Sequence, residues 1–206
     1  MIIKMCILKI TFISSLIIFL SACASSPPTH VNNLCHIFDE KRGWYKQAKK
    51  ASERWNSPIP TLMAIMHQES RFRAKAKPPR TKILWVIPGP RKSSAYGYAQ
   101  VKDETWKEYE IDVGGWTADR DDFGDAVDFV GWYNRKTHKR TGVALNDTYN
   151  LYLAYHEGQG GFSRKSHNKK PWLLKVAKKV SSQAWRYKKQ LKGCEKRLNS
   201  SWWWPF

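Results

Sequence analysis

A glutamate on an otherwise apolar helical face is the first feature of this chain that could do chemistry. In residues 56–70, NSPIPTLMAIMHQES, Leu62, Ile65, Met66 and Glu69 recur at spacings of three, four and seven, which places one carboxylate on the apolar face of a short helix. Pro58 and Pro60 after Ser57 fit the start of that helix, with Ser57 as its cap. If the face lines a cleft, loss of water raises the pKa of Glu69, and a carboxyl still protonated near neutral pH is what a general acid needs. Ser70 follows and can hydrogen-bond the same site. Taken alone, a Glu-Ser pair is more often a solvated helix end.

Two further clusters change that weighting. Ala95-Tyr96-Gly97-Tyr98-Ala99-Gln100 precedes a short helix at 103–110, and Ala154-Tyr155-His156-Glu157-Gly158 ends another that starts near Asn146. Singly, Gly97 is a turn and Tyr155 a core aromatic. Together and in this order they resemble the soluble-lytic-transglycosylase-type family, whose pattern is Glu-Ser, then Gly-Leu-Met-Gln, then Ala-Tyr-Asn followed by Gly. Phe72 also fits that family's Glu-Ser-x-Phe, and the resemblance runs from about Trp44 to Lys179. Three departures stand out: Tyr98-Ala99 replaces Leu-Met, His156 replaces the Asn, and 24 residues separate Ser70 from Ala95. They bear on groove shape and substrate preference more than on the acid.

The resemblance implies a mainly α, lysozyme-like domain acting on peptidoglycan glycan strands. Glu69 would be the sole acid/base. Ser70, Gly97, Tyr98, Gln100 and His156 would line the substrate, and Tyr155 would supply a hydroxyl partner to the carboxyl. The implied reaction cleaves the bond between N-acetylmuramic acid and N-acetylglucosamine while the muramic 6-hydroxyl closes a 1,6-anhydro ring. A lysozyme-like hydrolase is the alternative and needs a second carboxylate, for which Asp103, Glu104, Asp112 and the acids at 119–122 are candidates. A non-catalytic wall-binding lipoprotein is the other alternative. No cofactor is implied. No metal site is expected either, because the chain has no CxxC or HExxH, and His156-Glu157 lacks the second His.

The N-terminus reads as an address. Lys4 and Lys9 are followed by an apolar run over 10–20, too short to span a bilayer, giving a signal peptide over 1–22. Leu20-Ser21-Ala22-Cys23 resembles the lipobox of bacterial lipoproteins, which implies a bilayer anchor through acylated Cys23 and, with Ala24 next, the periplasmic side of a Gram-negative outer membrane. Residues 23–34 then read as a tether, 35–199 as one domain, and 200–206, with Trp202, Trp203 and Trp204, as an aromatic tail. Removing Cys6 and Cys23 leaves Cys35 and Cys194, a candidate disulfide in an exported chain, with two buried thiols as the alternative.

Charge narrows the partners. With 36 Lys and Arg against 17 Asp and Glu, the formal net charge is +19, so an anionic partner is expected. In an exported chain the peptide carboxylates of the cell wall and anionic lipid headgroups are at hand, and nucleic acid is not. A monomer is expected.

The positioning elements are helical. Trp44, Ala48, Ala51 and Trp55 define one face of a helix within 35–55. Residues 123–138 place Phe123, Ala126, Val130 and Tyr133 inward, and a helix from Asn146 is expected to end at Gly158. From Pro171, Leu173, Val180, Tyr187 and Cys194 repeat every seven residues as the buried face of the longest helix. Residues 74–94 break the pattern and predict a small hairpin or flap, either a lid beside Glu69 or a long loop. Trp85, Trp106, Trp116 and Trp132 are candidate sugar-stacking faces, with at most one or two of them functional.

Overall fold

The computed structural model describes residues 26–84 and 86–200. The expected signal peptide, Cys23, Trp85 and the three tryptophans of the expected tail lie outside the described residues. The elements in order are α1 (Leu34–Glu40), α2 (Trp44–Trp55), α3 (Ile59–Ser70), β1 (Arg80–Ile83), β2 (Ile87–Arg91), α4 (Asp103–Tyr109), α5 (Phe123–Thr141), α6 (Thr148–Ser163) and α7 (Pro171–Ser200). A π-helical turn, Glu110–Gly114, extends α4, and a 3-10 turn, Ser166–Lys169, leads into α7. The architecture is mainly α, in keeping with a lysozyme-like domain.

The organising element is α3. Every residue from Ile59 to Met66 is buried, so the expected apolar stripe is in fact a helix buried on all sides over two turns. Helices α2, α5 and α7 pack around it. At roughly 1.5–3 kcal/mol per fully buried large apolar side chain, Leu62, Met63, Ile65 and Met66 make α3 costly to displace. Its start differs from the expectation: Pro58 is the N-cap, without a side-chain bond. The Ser57 hydroxyl is buried and instead accepts from Asn134 Nδ2 at 3.0 Å, tying the turn to α5.

Two helix boundaries also differ. The 35–55 stretch is two helices, broken at Gly43, whose φ of 94° lies in the left-handed region. Helix α6 does not stop at Gly158 but runs on to Ser163 across a kink there (φ 72°, ψ 155°). A knot of bonds on Asp128 joins three elements: Trp55 Nε1, Arg54 Nη1 and the Tyr109 hydroxyl each donate to its carboxylate at 2.9 Å. Beside it, a Cβ at Gly131 would lie 2.5 Å from the Trp55 ring, so only glycine allows α2 and α5 to approach this closely.

Helix α7 buries Leu173, Ala177, Val180, Ala184, Tyr187, Leu191 and Cys194, as the seven-residue pattern predicts. It also gathers the N-terminal stretch. The Tyr187 hydroxyl donates to the Val31 carbonyl, Leu34 N–H donates to Gln190 Oε1 at 2.9 Å, and Val31 is buried. The part of the expected tether from about Pro28 onward is therefore packed on the domain, because these backbone groups find partners on α7. A disulfide joins Cys35 of α1 to Cys194 of α7 across a sequence separation of 159 residues.

Such a loop sets an upper bound near 5 kcal/mol for the entropic effect on the unfolded chain. Replacing both cysteines by serine is expected to lower stability by about 2–5 kcal/mol, read as a lower midpoint in urea unfolding against the oxidised protein.

Candidate active site

Glu69 lies on the last turn of α3, where the helix leaves the interior. Immediately after it the chain reverses. Arg71 (φ 54°) and Phe72 (φ 60°) are consecutive left-handed residues, a conformation unfavourable for a bulky side chain by about 1 kcal/mol or more each. Burial holds it in place: Phe72 is fully buried and its ring packs on Trp44 at 5.9 Å and on His67 at 5.7 Å. That fixes the helix end, and with it the carboxylate.

Glu69 keeps some solvent access but is crowded by protein. Burial pushes its pKa up from 4.5 to about 7, against a hydrogen bond from the Tyr152 hydroxyl that lowers it. Burial and the negative charge of Glu69 in turn raise the Tyr152 hydroxyl, which stays protonated. Tyr155, one turn on along α6, also faces Glu69, and burial followed by that charge raises its pKa as well.

Tyr155 is not the hydroxyl partner that the motif implies. Its O–H donates to the Ala99 carbonyl at 2.7 Å, which commits it to positioning the 97–100 turn. Tyr152 takes the role, and sequence reasoning missed it. The signal was the three-residue spacing from Tyr152 to Tyr155, which puts both rings on one helical face.

The 97–100 turn is closed by a bridge between Tyr96 and Val101, with N–H···O distances of 3.1 and 3.2 Å. Gly97 has φ 80°, and a Cβ there would meet the Arg120 carbonyl oxygen at 2.0 Å, so no other residue fits. Gln100 also sits in the left-handed region (φ 50°). Its Nε2 donates to the carbonyls of Ala76 (2.9 Å) and Gly97 (3.0 Å), which spends both amide protons on the turn and leaves only its carbonyl oxygen as an acceptor. Tyr98 is a correction. It is buried edge-on against Trp44 and Phe123, where an aromatic core supplies the environment that Leu would otherwise fill. Ser70 is a second correction. It is buried, and its hydroxyl turns back to the Met66 carbonyl at 3.5 Å.

His156 is exposed and stands edge-on to Trp172 at 5.2 Å, with Nδ1 3.1 Å from Glu157 Oε1. The Glu157 side chain is mostly covered, yet bonds from Lys170, Ser166 and His156 overcome the loss of water and hold its carboxyl down at about 2. Of the tryptophans, Trp106 and Trp132 are core, while Trp116 is 90% exposed.

The downstream acids are engaged elsewhere. Asp103 pairs with Arg120 at 2.7 Å, Asp121 accepts from the Tyr96 hydroxyl at 2.8 Å, and Asp122 caps α5 through Asp125 N–H. Glu104 and Asp112 are exposed. No carboxylate among the described residues contributes to the shift at Glu69. No group of three or more metal-ligating side chains clusters among them. A cavity of about 490 Å³ lies at the other end of α3, beside Pro60 and Trp185, so it is the chemistry rather than the volume that marks Glu69.

Because the folded-state pKa of Glu69 is raised, its burial destabilises the fold increasingly as pH rises from 4.5 through about 7. The Glu69→Gln variant is therefore expected to be more stable than wild type at pH 8, by up to about 3 kcal/mol. In denaturant unfolding across pH, the gap should close toward pH 4.5.

A family model described as the transglycosylase SLT domain matches residues 11–194. No curated protein matches the chain at a significant level.

Proposed function

This chain belongs to the transglycosylase SLT domain family, and on that premise we propose that it is a membrane-anchored lytic murein transglycosylase in which Glu69 is the acid and then the base. The observation that carries this reading is a lone carboxyl, held near neutral pKa by burial, with a tyrosine hydroxyl beside it.

The protonated Glu69 donates to the glycosidic oxygen as the bond from muramic C1 to the N-acetylglucosamine oxygen breaks. The resulting carboxylate takes the proton from the muramic 6-hydroxyl, whose oxygen closes onto C1 as the 1,6-anhydro ring. No water is consumed, and Glu69 ends the cycle protonated. The Tyr152 hydroxyl steadies the carboxylate phase, while burial favours the acid phase, so the two opposing effects keep the group close to its working point. Two-carboxylate hydrolysis needs a second acid within about 5–9.5 Å to serve as nucleophile or to activate water. The downstream acids Asp103, Asp121 and Asp122, tied to Arg120, Tyr96 and the α5 cap, and the absence of a carboxylate effect on Glu69 among the described residues, support the one-carboxylate route instead.

Gln100 presents its carbonyl oxygen to the substrate, and exposed His156 with Trp172 borders the groove. An acylated Cys23 holds the protein at the periplasmic face of the outer membrane of a Gram-negative cell. Among the described residues no helix is long and apolar enough to cross a membrane. The excess of cations suits a polymer whose peptide stems carry carboxylates.

Incubated with peptidoglycan, the protein is expected to release anhydro-muropeptides identified by mass, with Glu69→Gln slower by about 10²–10⁴-fold. Products one water heavier would make it a hydrolase. Retained binding without products from either protein would leave a wall-binding lipoprotein.

A further inference from the structure

The hairpin of β1 and β2 carries a surface that the chemistry at Glu69 does not use. Its tip exposes Leu84 (78%), Val86 (80%) and Ile87 (52%) to solvent, three large aliphatic side chains within four positions. A folded domain seldom leaves such a cluster uncovered without an interaction to serve. Beneath it, residues 74–94 contain Lys75, Lys77, Arg80, Lys82, Arg91 and Lys92, all exposed, and no Asp or Glu. Lys77 sits over the Tyr96 ring at 5.1 Å, and Arg91 donates to the Pro78 carbonyl. Arg80, Lys82 and Lys92 pair with no carboxylate among the described residues.

On the β2 edge the backbone argues against a strand-adding protein partner. Pro88 and Pro90 lie in β2, so that strand lacks the donors a further strand would need. The pairing is also irregular, with a register shift between Arg80 and Lys82. A polyhydroxylated glycan is a poor match for the exposed aliphatic side chains of Leu84, Val86 and Ile87. An apolar tip above a belt of unpaired cations is instead complementary to a bilayer interface, where the tip enters the acyl boundary and the cations meet phosphate.

We propose that this hairpin docks the protein on an anionic lipid surface. Leu84, Val86 and Ile87 enter the interface, and Arg80, Lys82 and Lys92 lie among the headgroup phosphates. The contact orients the domain on the membrane and does not require the chemistry at Glu69.

The test uses the full chain reconstituted in vesicles of phosphatidylcholine alone or with about 30% phosphatidylglycerol. Hydroxyl-radical footprinting then reads oxidation of the aliphatic tip within the tryptic peptide 83–91, which becomes 76–91 once Arg80 and Lys82 are replaced. On the anionic vesicles its oxidation should fall by about fivefold or more relative to neutral ones, while that of the peptide holding Trp116 stays constant. Changing Arg80, Lys82 and Lys92 together to Ser should restore oxidation without altering the circular dichroism spectrum. Equal oxidation on the two vesicles overturns the proposal. So does equal protection by soluble glycan strands with no vesicle present, which would make the hairpin a lid over substrate.

Discussion

The structure depends on keeping one carboxylate largely shielded from water and away from every cation. In a chain with 36 Lys and Arg an ion pair is easily made, and one beside Glu69 would return its pKa to the ordinary carboxylate range or below. Burial and one tyrosine hydroxyl are what act on Glu69. Glu157 shows the opposite solution a short distance along α6. Its side chain too is mostly covered, but Lys170 and Ser166 bond it and it stays ionised. Two glutamates that both lose water thus reach opposite charge states through their partners.

Holding such a group requires a rigid frame, and the packing supplies one. Helix α3 is buried on all sides before it surfaces at Glu69. Phe72 locks the reversal that follows, and Tyr152 and Tyr155 reach in from α6. The Tyr155 hydroxyl joins α6 to the 97–100 turn, and Gln100 joins that turn to Ala76 at the foot of the hairpin. Each motif therefore holds another motif more than it holds solvent. The turn conformations that look unfavourable at Arg71, Phe72 and Gln100 are stabilised by these contacts.

Much of the fold was legible because hydrophobic periodicity is a strong signal over long elements. The seven-residue repeat from Leu173 to Cys194 and the inward set of α5 are examples, and the hairpin at 74–94 was marked by prolines and β-branched residues. Glu69 stood out because a carboxylate is rare on an apolar face. The remainder was hidden for specific reasons. Whether a hydroxyl faces the groove or its own helix is a rotamer choice, so Ser70 could not be assigned from its position. Tyr98 changed role because an aromatic core formed by Trp44 and Phe123, distant in sequence, closes over it. Tyr152 went unremarked because a tyrosine among apolar residues reads as core until its partner is known. Pro28 to Asn33 looked like a linker because the groups that bind it, on Tyr187 and Gln190, lie about 155 residues away.

The most direct test of the account is the ionisation of Glu69 itself, followed by ¹³C NMR of its carboxyl carbon in the folded protein, with Glu69→Gln to assign the signal. The predicted midpoint is about 7, and it should move higher in Tyr152→Phe, since that hydroxyl stabilises the charged form. A midpoint near 4.5, unchanged by loss of Tyr152, would mean that Glu69 is solvated and would contradict the account.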